Sequence, residues 1–101
     1  MTITTTTLLS AARAEALFTS QLATGSHPTY DVVETAIRVA VRAHGGVRGC
    51  AADVAAEFGD YPEVAAPRMR WARSVVEQLY EVRRARAGRP GHAVAAFALA
   101  A

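Results

Sequence analysis

The residues best suited to chemistry in this chain are cationic and aromatic. Arg68, Arg70 and Arg73 crowd the start of a helical segment, with Trp71 among them and Tyr61 a short way upstream. Cations at a helix N-terminus oppose the macrodipole by about 0.3–1 kcal/mol each, so the cluster needs a compensating anion. One source is a nucleic acid: Arg clamps phosphate or reads guanine from the first turns of a recognition helix. The other is internal, because Asp53, Glu57, Asp60 and Glu63 stand just upstream and can form surface ion pairs. Tyr61, Arg68, Arg70 and Arg73 are therefore the candidate DNA-binding residues. A second basic group, Arg83, Arg84, Arg86 and Arg89, falls at the end of the same segment. Cations there complement the dipole, so a structural role suffices.

Other chemistry is sparse. His27, His44, His92 and Cys50 are the soft ligands, and no two stand at a CxxC or HxxxH spacing. His44 at a helix end is accounted for by the dipole, and Cys50 by burial as a small hydrophobe. There is no GxSxG, phosphate loop or paired-carboxylate arrangement. Residues 45–49 read as a hinge. No catalytic, cofactor-binding or metal residue is assigned, no cofactor is implied and no small-molecule substrate is evident.

Composition sets the bounds. A chain of 101 residues holds one modest core. Hydrophobic residues make up 51% and charged residues 20%, which excludes wholesale disorder. There are 23 Ala, and all 11 basic residues are Arg, a bias expected of a GC-rich, actinobacterial genome. Codon bias therefore discounts any nucleic-acid argument built on Arg alone, and a net charge of +2 is weak for such a binder. A single cysteine fits a reducing compartment. The N-terminal stretch lacks the basic region and apolar run of a signal peptide, and no stretch is long and apolar enough for a spanning helix. The expectation is a cytoplasmic protein that does not enter membranes.

Periodicity supplies the elements. Residues 1–7 are Thr-rich and expected to be flexible. A first helix spans about 8–23 behind a Thr6 or Thr7 cap, closed by Gly25. A second spans about 30–44 behind Thr29 as N-cap, with an apolar arc wide enough to make it the central, buried helix. A third spans 50–58, ended by a left-handed Gly59. With Ala55 as the small contact residue and Val54 and Phe58 as anchors, it forms a degenerate helix-turn-helix with the fourth. After a short turn of helix over 62–66, the fourth runs from Pro67 to Ala87, with Met69, Ala72, Val76 and Leu79 as its core stripe, flanked by Val75 and Val82. Residues 88–101 form a tail. The fold class is all-α, a compact bundle of four main helices over 8–87.

The segment GVRGCAADVAAEFGDYPEVAAPRMRWAR also resembles small helical proteins of unassigned function from Streptomyces-type actinobacteria. It does so at Gly-Cys-Ala-Ala (49–52), Glu-Phe-Gly-Asp (57–60) and Arg-Met-Arg-Trp-Ala (68–72). That resemblance implies a compact helical domain. The residues together point to a non-enzymatic regulatory or adaptor protein that pairs with itself or another protein through Trp71, Val75 and Val82. The alternative is a helix-turn-helix-like DNA-binding regulator.

Overall fold

The computed structural model describes residues 5–87, with side chains from Leu8 onward. The expected tail and the first four residues lie outside this range. The chain is all-α, with helices α1 (Thr5–Thr19), α2 (Tyr30–Ala43), α3 (Gly46–Asp60) and α4 (Pro62–Val76). A π-helical turn, Glu77–Glu81, carries α4 into α5 (Val82–Ala87), so α4 to α5 is one long rod and the bundle has four main helices. No strand occurs among the described residues.

The centre is α1, not α2. Ala16 and Leu17 are 1% and 0% exposed, and α1 packs on α2, α3 and α4 alike. Helix α2 buries only Val33 and Ala40, while Val32 and Val39 face outward. The wide apolar arc of α2 is thus half core and half surface. On α1 Leu8 and Leu9 are exposed, and the buried set is Ala14, Ala16, Leu17 and Phe18.

Helix boundaries differ from the expected ones for identifiable reasons. Thr29 caps α2 as expected, its hydroxyl accepting from the Val32 amide. Helix α1 stops at Thr19, well before Gly25, because hydroxyls take over its last carbonyls. Thr19 Oγ1 donates to Ala16 O at 2.8 Å and Ser20 Oγ to Leu17 O at 2.6 Å. Helix α3 starts four residues early, since Gly45 and Gly46 make the left-handed turn with φ of 80° and 91°. Gly59 is helical, Ala55 is exposed, and the α3–α4 joint is Tyr61 alone. The helix-turn-helix reading of this joint is therefore corrected. Pro67 lies inside a continuous α4 headed by Pro62 at its first position, so no separate 62–66 turn precedes it.

In the core stripe of the rod Met69, Ala72 and Val76 are buried as expected, and Val75, expected at the flank, is buried with them. The π turn then widens the helix so that residues five apart share a face. Tyr80 follows Val75 into the core, Leu79 is only partly buried and Val82 is 48% exposed.

Tight packing at the α2–α3 turn sets a glycine requirement. A Cβ on Gly49 would stand 1.5 Å from the His44 carbonyl oxygen, whereas one on Gly59 meets nothing within 4 Å. Gly49→Ala is expected to splay α2 from α3 and lower the melting temperature sharply. Gly59→Ala should stabilise the protein by about 0.5–1 kcal/mol through helix propensity. Thermal denaturation followed by circular dichroism checks both, and a Gly49→Ala protein that melts with the parent refutes the packing argument.

Candidate functional site

The residues expected to form a DNA-reading cluster separate in space. Arg68 is turned into the protein. Its Nε donates to Phe18 O at 2.7 Å, Nη2 to Ser20 O at 2.9 Å and Nη1 to Thr24 Oγ1 at 2.8 Å. The guanidinium also covers Phe18 and Trp71, at 5.7 and 5.0 Å from the ring centroids. Arg68 thus caps the C-terminus of α1, where carbonyls need donors and the dipole favours a cation. Burial pulls its pKa below the ordinary value for an arginine. Each of its nitrogens is engaged within the protein, which corrects its place among the DNA-binding candidates as a freely presented cation.

Arg70 and Arg73 are exposed and share a face of α4, about 200° around the helix from Arg68 for Arg70. The expected neutralisation by Asp53, Glu57, Asp60 and Glu63 does not form. Among the described residues the ion pairs within 4.0 Å are His44–Asp53 and Arg84–Glu81. Tyr61 is 56% exposed and its backbone makes the joint, donating to Glu57 O at 2.7 Å and accepting from Ala65 N at 2.9 Å.

The expected protein interface also divides. Trp71 is half-buried, and its Nε1 donates to Ser26 O at 2.8 Å, pinning the α1–α2 connector to α4. Val75 is 7% exposed and belongs to the core. Val82 is the one of the three that is exposed. A single face built from Trp71, Val75 and Val82 is therefore corrected, because the π turn rotates Val82 away from the stripe that buries Val75.

Two groupings were not legible from spacing. In the first, Tyr80 donates a short hydrogen bond to Glu34, packs on Tyr30 at 5.1 Å between centroids, and lies under Arg13 at 4.1 Å. Arg83 covers Tyr30 at 3.7 Å. Side chains from α1, α2, the π turn and α5 meet here, and only Tyr80's late entry into the core brings them together. Burial, then the Glu34 bond and charge, raise the Tyr80 pKa well above its ordinary 10.0.

In the second, His44 Nδ1 makes a short contact with Asp53 Oδ2 across the Gly45–Gly46 turn. An Asp on one ring nitrogen orients an imidazole. Cys50 does not complete a nucleophilic set: its Sγ lies 3.8 Å from Ala40 O and 3.6 Å from Thr19 Oγ1, within the buried α1–α2–α3 crossing. Among the described residues no three His, Cys, Asp or Glu side chains gather as a metal set, and no helix is long and apolar enough to cross a membrane.

A surface feature stands apart from both groupings. Val32, Ala36, Val39 and Ala43 follow at intervals of four, three and four along α2, forming one stripe. Val32 and Val39 are 44% and 59% exposed, and a groove lined by Leu22, Ala36, Val39 and Ala43 runs beside the stripe.

No family model, curated protein or solved structure matches the chain.

The Arg68 geometry predicts an asymmetric result among the arginines. Arg68→Ala should cost about 1–3 kcal/mol by leaving the α1 carbonyls short of donors. Arg70→Ala and Arg73→Ala should stay within about 0.5 kcal/mol of the parent. Urea unfolding followed by Trp71 fluorescence measures all three, and equal effects would refute the capping role.

Tyr80 predicts a dependence on alkaline pH. Its folded pKa is raised, so above about pH 10 the unfolded chain loses a proton that the folded chain retains, and stability falls as pH rises. Tyr80→Phe should flatten that decline between about pH 10 and 11.5 relative to the parent. Unfolding curves across this range check it, and parallel slopes count against the Glu34–Tyr80 bond.

Proposed function

We propose that the chain is a non-enzymatic regulatory or adaptor protein of the cytoplasm, acting by protein–protein association that begins with its own dimerisation. The observation that carries this reading is the α2 stripe. Its apolar side chains lie about a quarter-turn from the core-facing Val33 and Ala40: Ala36 touches the edge of the core, while Val32, Val39 and Ala43 are turned to the surface. Ala36 and Ala43 leave room for a second backbone, while Val32 and Val39 supply knobs.

Charge supports a second copy as the occupant. Asp31, Thr35, Arg38 and Arg42 line one flank of the stripe. In an antiparallel two-fold pairing centred between Ala36 and Val39, each flank meets itself reversed. Asp31 of one copy then faces Arg42 of the other, and the contact is self-complementary. The Ala-rich, Lys-free composition supports an actinobacterial source.

A second reading, DNA binding, is favoured by one observation: Arg70 and Arg73 are exposed on one face with no acidic partner within 4.0 Å among the described residues. Two phosphate contacts give a weak, strongly salt-dependent interaction.

Sedimentation velocity tests the main reading. The parent should be a dimer at micromolar concentration. Val39→Glu should weaken dimerisation by roughly a hundredfold, since it places an unpaired charge at the centre of the contact. Val82→Glu should leave it unchanged. A parent that sediments as a monomer at high concentration overturns the dimer. Gel-shift titration at low and moderate salt tests the second reading, and no retardation at low salt removes it.

A further inference from the structure

The α2 stripe leaves a different surface without a role. Helices α3 and α4 diverge from the one-residue joint at Tyr61, and the C-terminal end of α1 forms the floor between them. The result is a cleft of about 410 Å³ lined by Phe18, Ala56, Val64 and Ala65 on its apolar side and by Asp53 and Glu57 on its polar side. Val64 is 59% exposed on the α4 wall. We propose that this cleft receives an amphipathic helix of a partner protein whose apolar face is flanked by Lys or Arg. Such a helix gives the adaptor reading its class of partner and rests on that reading, but it occupies a surface distinct from the dimer stripe.

Charge complementarity selects this occupant. Asp53, Glu57 and Asp60 succeed one another at four and three residues, forming one acidic line along α3, and the first two of them line the cleft. The line is about 10 Å long, two turns of a facing helix. Glu57, Asp60 and Glu63 have no cationic partner within 4.0 Å among the described residues, and Asp53 has only His44. The one arginine bordering the cleft is Arg68, and each of its three nitrogens donates inward, to Phe18, Ser20 or Thr24. Its charge is therefore matched by the end of α1, and the carboxylates dominate the rim. An apolar trough with acids on its edge is the complement of a helix laid in a groove, with apolar anchors inward and cations at the margin.

The test uses the full chain and three fluorescein-labelled helical peptides of about 18 residues, or five turns, with the same Leu/Ala face and with Arg, Gln or Glu at the flanking positions. Fluorescence anisotropy should show saturable, salt-sensitive binding of the Arg peptide and none of the Glu peptide. The double variant Glu57→Lys/Asp60→Lys should weaken the Arg peptide roughly tenfold or more. Val64→Asp should do likewise, while Val39→Glu should not. Circular dichroism confirms that each variant is folded, and if Val64→Asp is not, the charge-reversed pair decides the matter because both of its residues are exposed. Equal binding of the Gln peptide, an unaffected charge-reversed pair, or loss of binding in Val39→Glu overturns the cleft. Sedimentation of the same variants reports the dimer separately, so the failure of one reading is distinguishable from the failure of the other.

Discussion

Capping the end of α1 is the constraint on which the rest of the structure depends. A helix at the centre of a bundle brings its final carbonyls among other elements, where unpaired oxygens are costly. Here Thr19 and Ser20 take the Ala16 and Leu17 carbonyls, and Arg68 takes those of Phe18 and Ser20. The long reach of Arg from α4 fixes the distance between α1 and α4 and holds the connector through Thr24. Trp71 continues the clasp to Ser26. The connector from residue 20 to 29, which has little core of its own, is thereby tied to the α1–α4 pair and delivers Thr29 to cap α2.

That clasp explains why the most chemical-looking cluster in the sequence is not one site. Arg68, Arg70 and Arg73 are close in number, but a helix turns about 100° per residue, so Arg70 points nearly opposite Arg68. Sequence proximity is no measure of which arginine meets a carbonyl on a helix far earlier in the chain. Tyr80 is hidden for a related reason. An α-helical period places Leu79 in line with Val76, whereas the π turn shifts the inward position to Tyr80. A single inserted backbone step of this kind leaves no mark in hydropathy, yet it decides that Val82 faces solvent.

The all-α class, four main helices, the Thr29 cap and most of the α4 stripe were legible, because each rests on local rules of period and capping. The choice of central helix was not. Apolar residues on α2 span two faces, and composition alone does not distinguish a helix buried on several sides from one with a second, solvent-facing stripe. The glycines mislead for a comparable reason. Gly59 resembles a helix stop because a turn residue, Asp60, comes directly after it. The left-handed pair is instead Gly45 and Gly46, and Gly49 is set by the His44 carbonyl that this turn folds over it.

The small size of the residues at the helix crossings has a consequence for the surface. Ala16, Ala40, Cys50, Ala65 and Ala72 are at most 3% exposed, so the backbones approach closely and the interior is shallow. A shallow interior cannot absorb all the branched apolar side chains that the helices carry. Val32, Val39 and Val64 are left at the surface, and the first two align along one helix. Apolar area gained outside the bundle would then add to a core that is modest by itself, which couples association to stability. The same alanines that let α1 occupy the centre thus leave larger hydrophobes at the surface, and the close packing inside the fold and the apolar stripe outside it are two results of one choice of residue size.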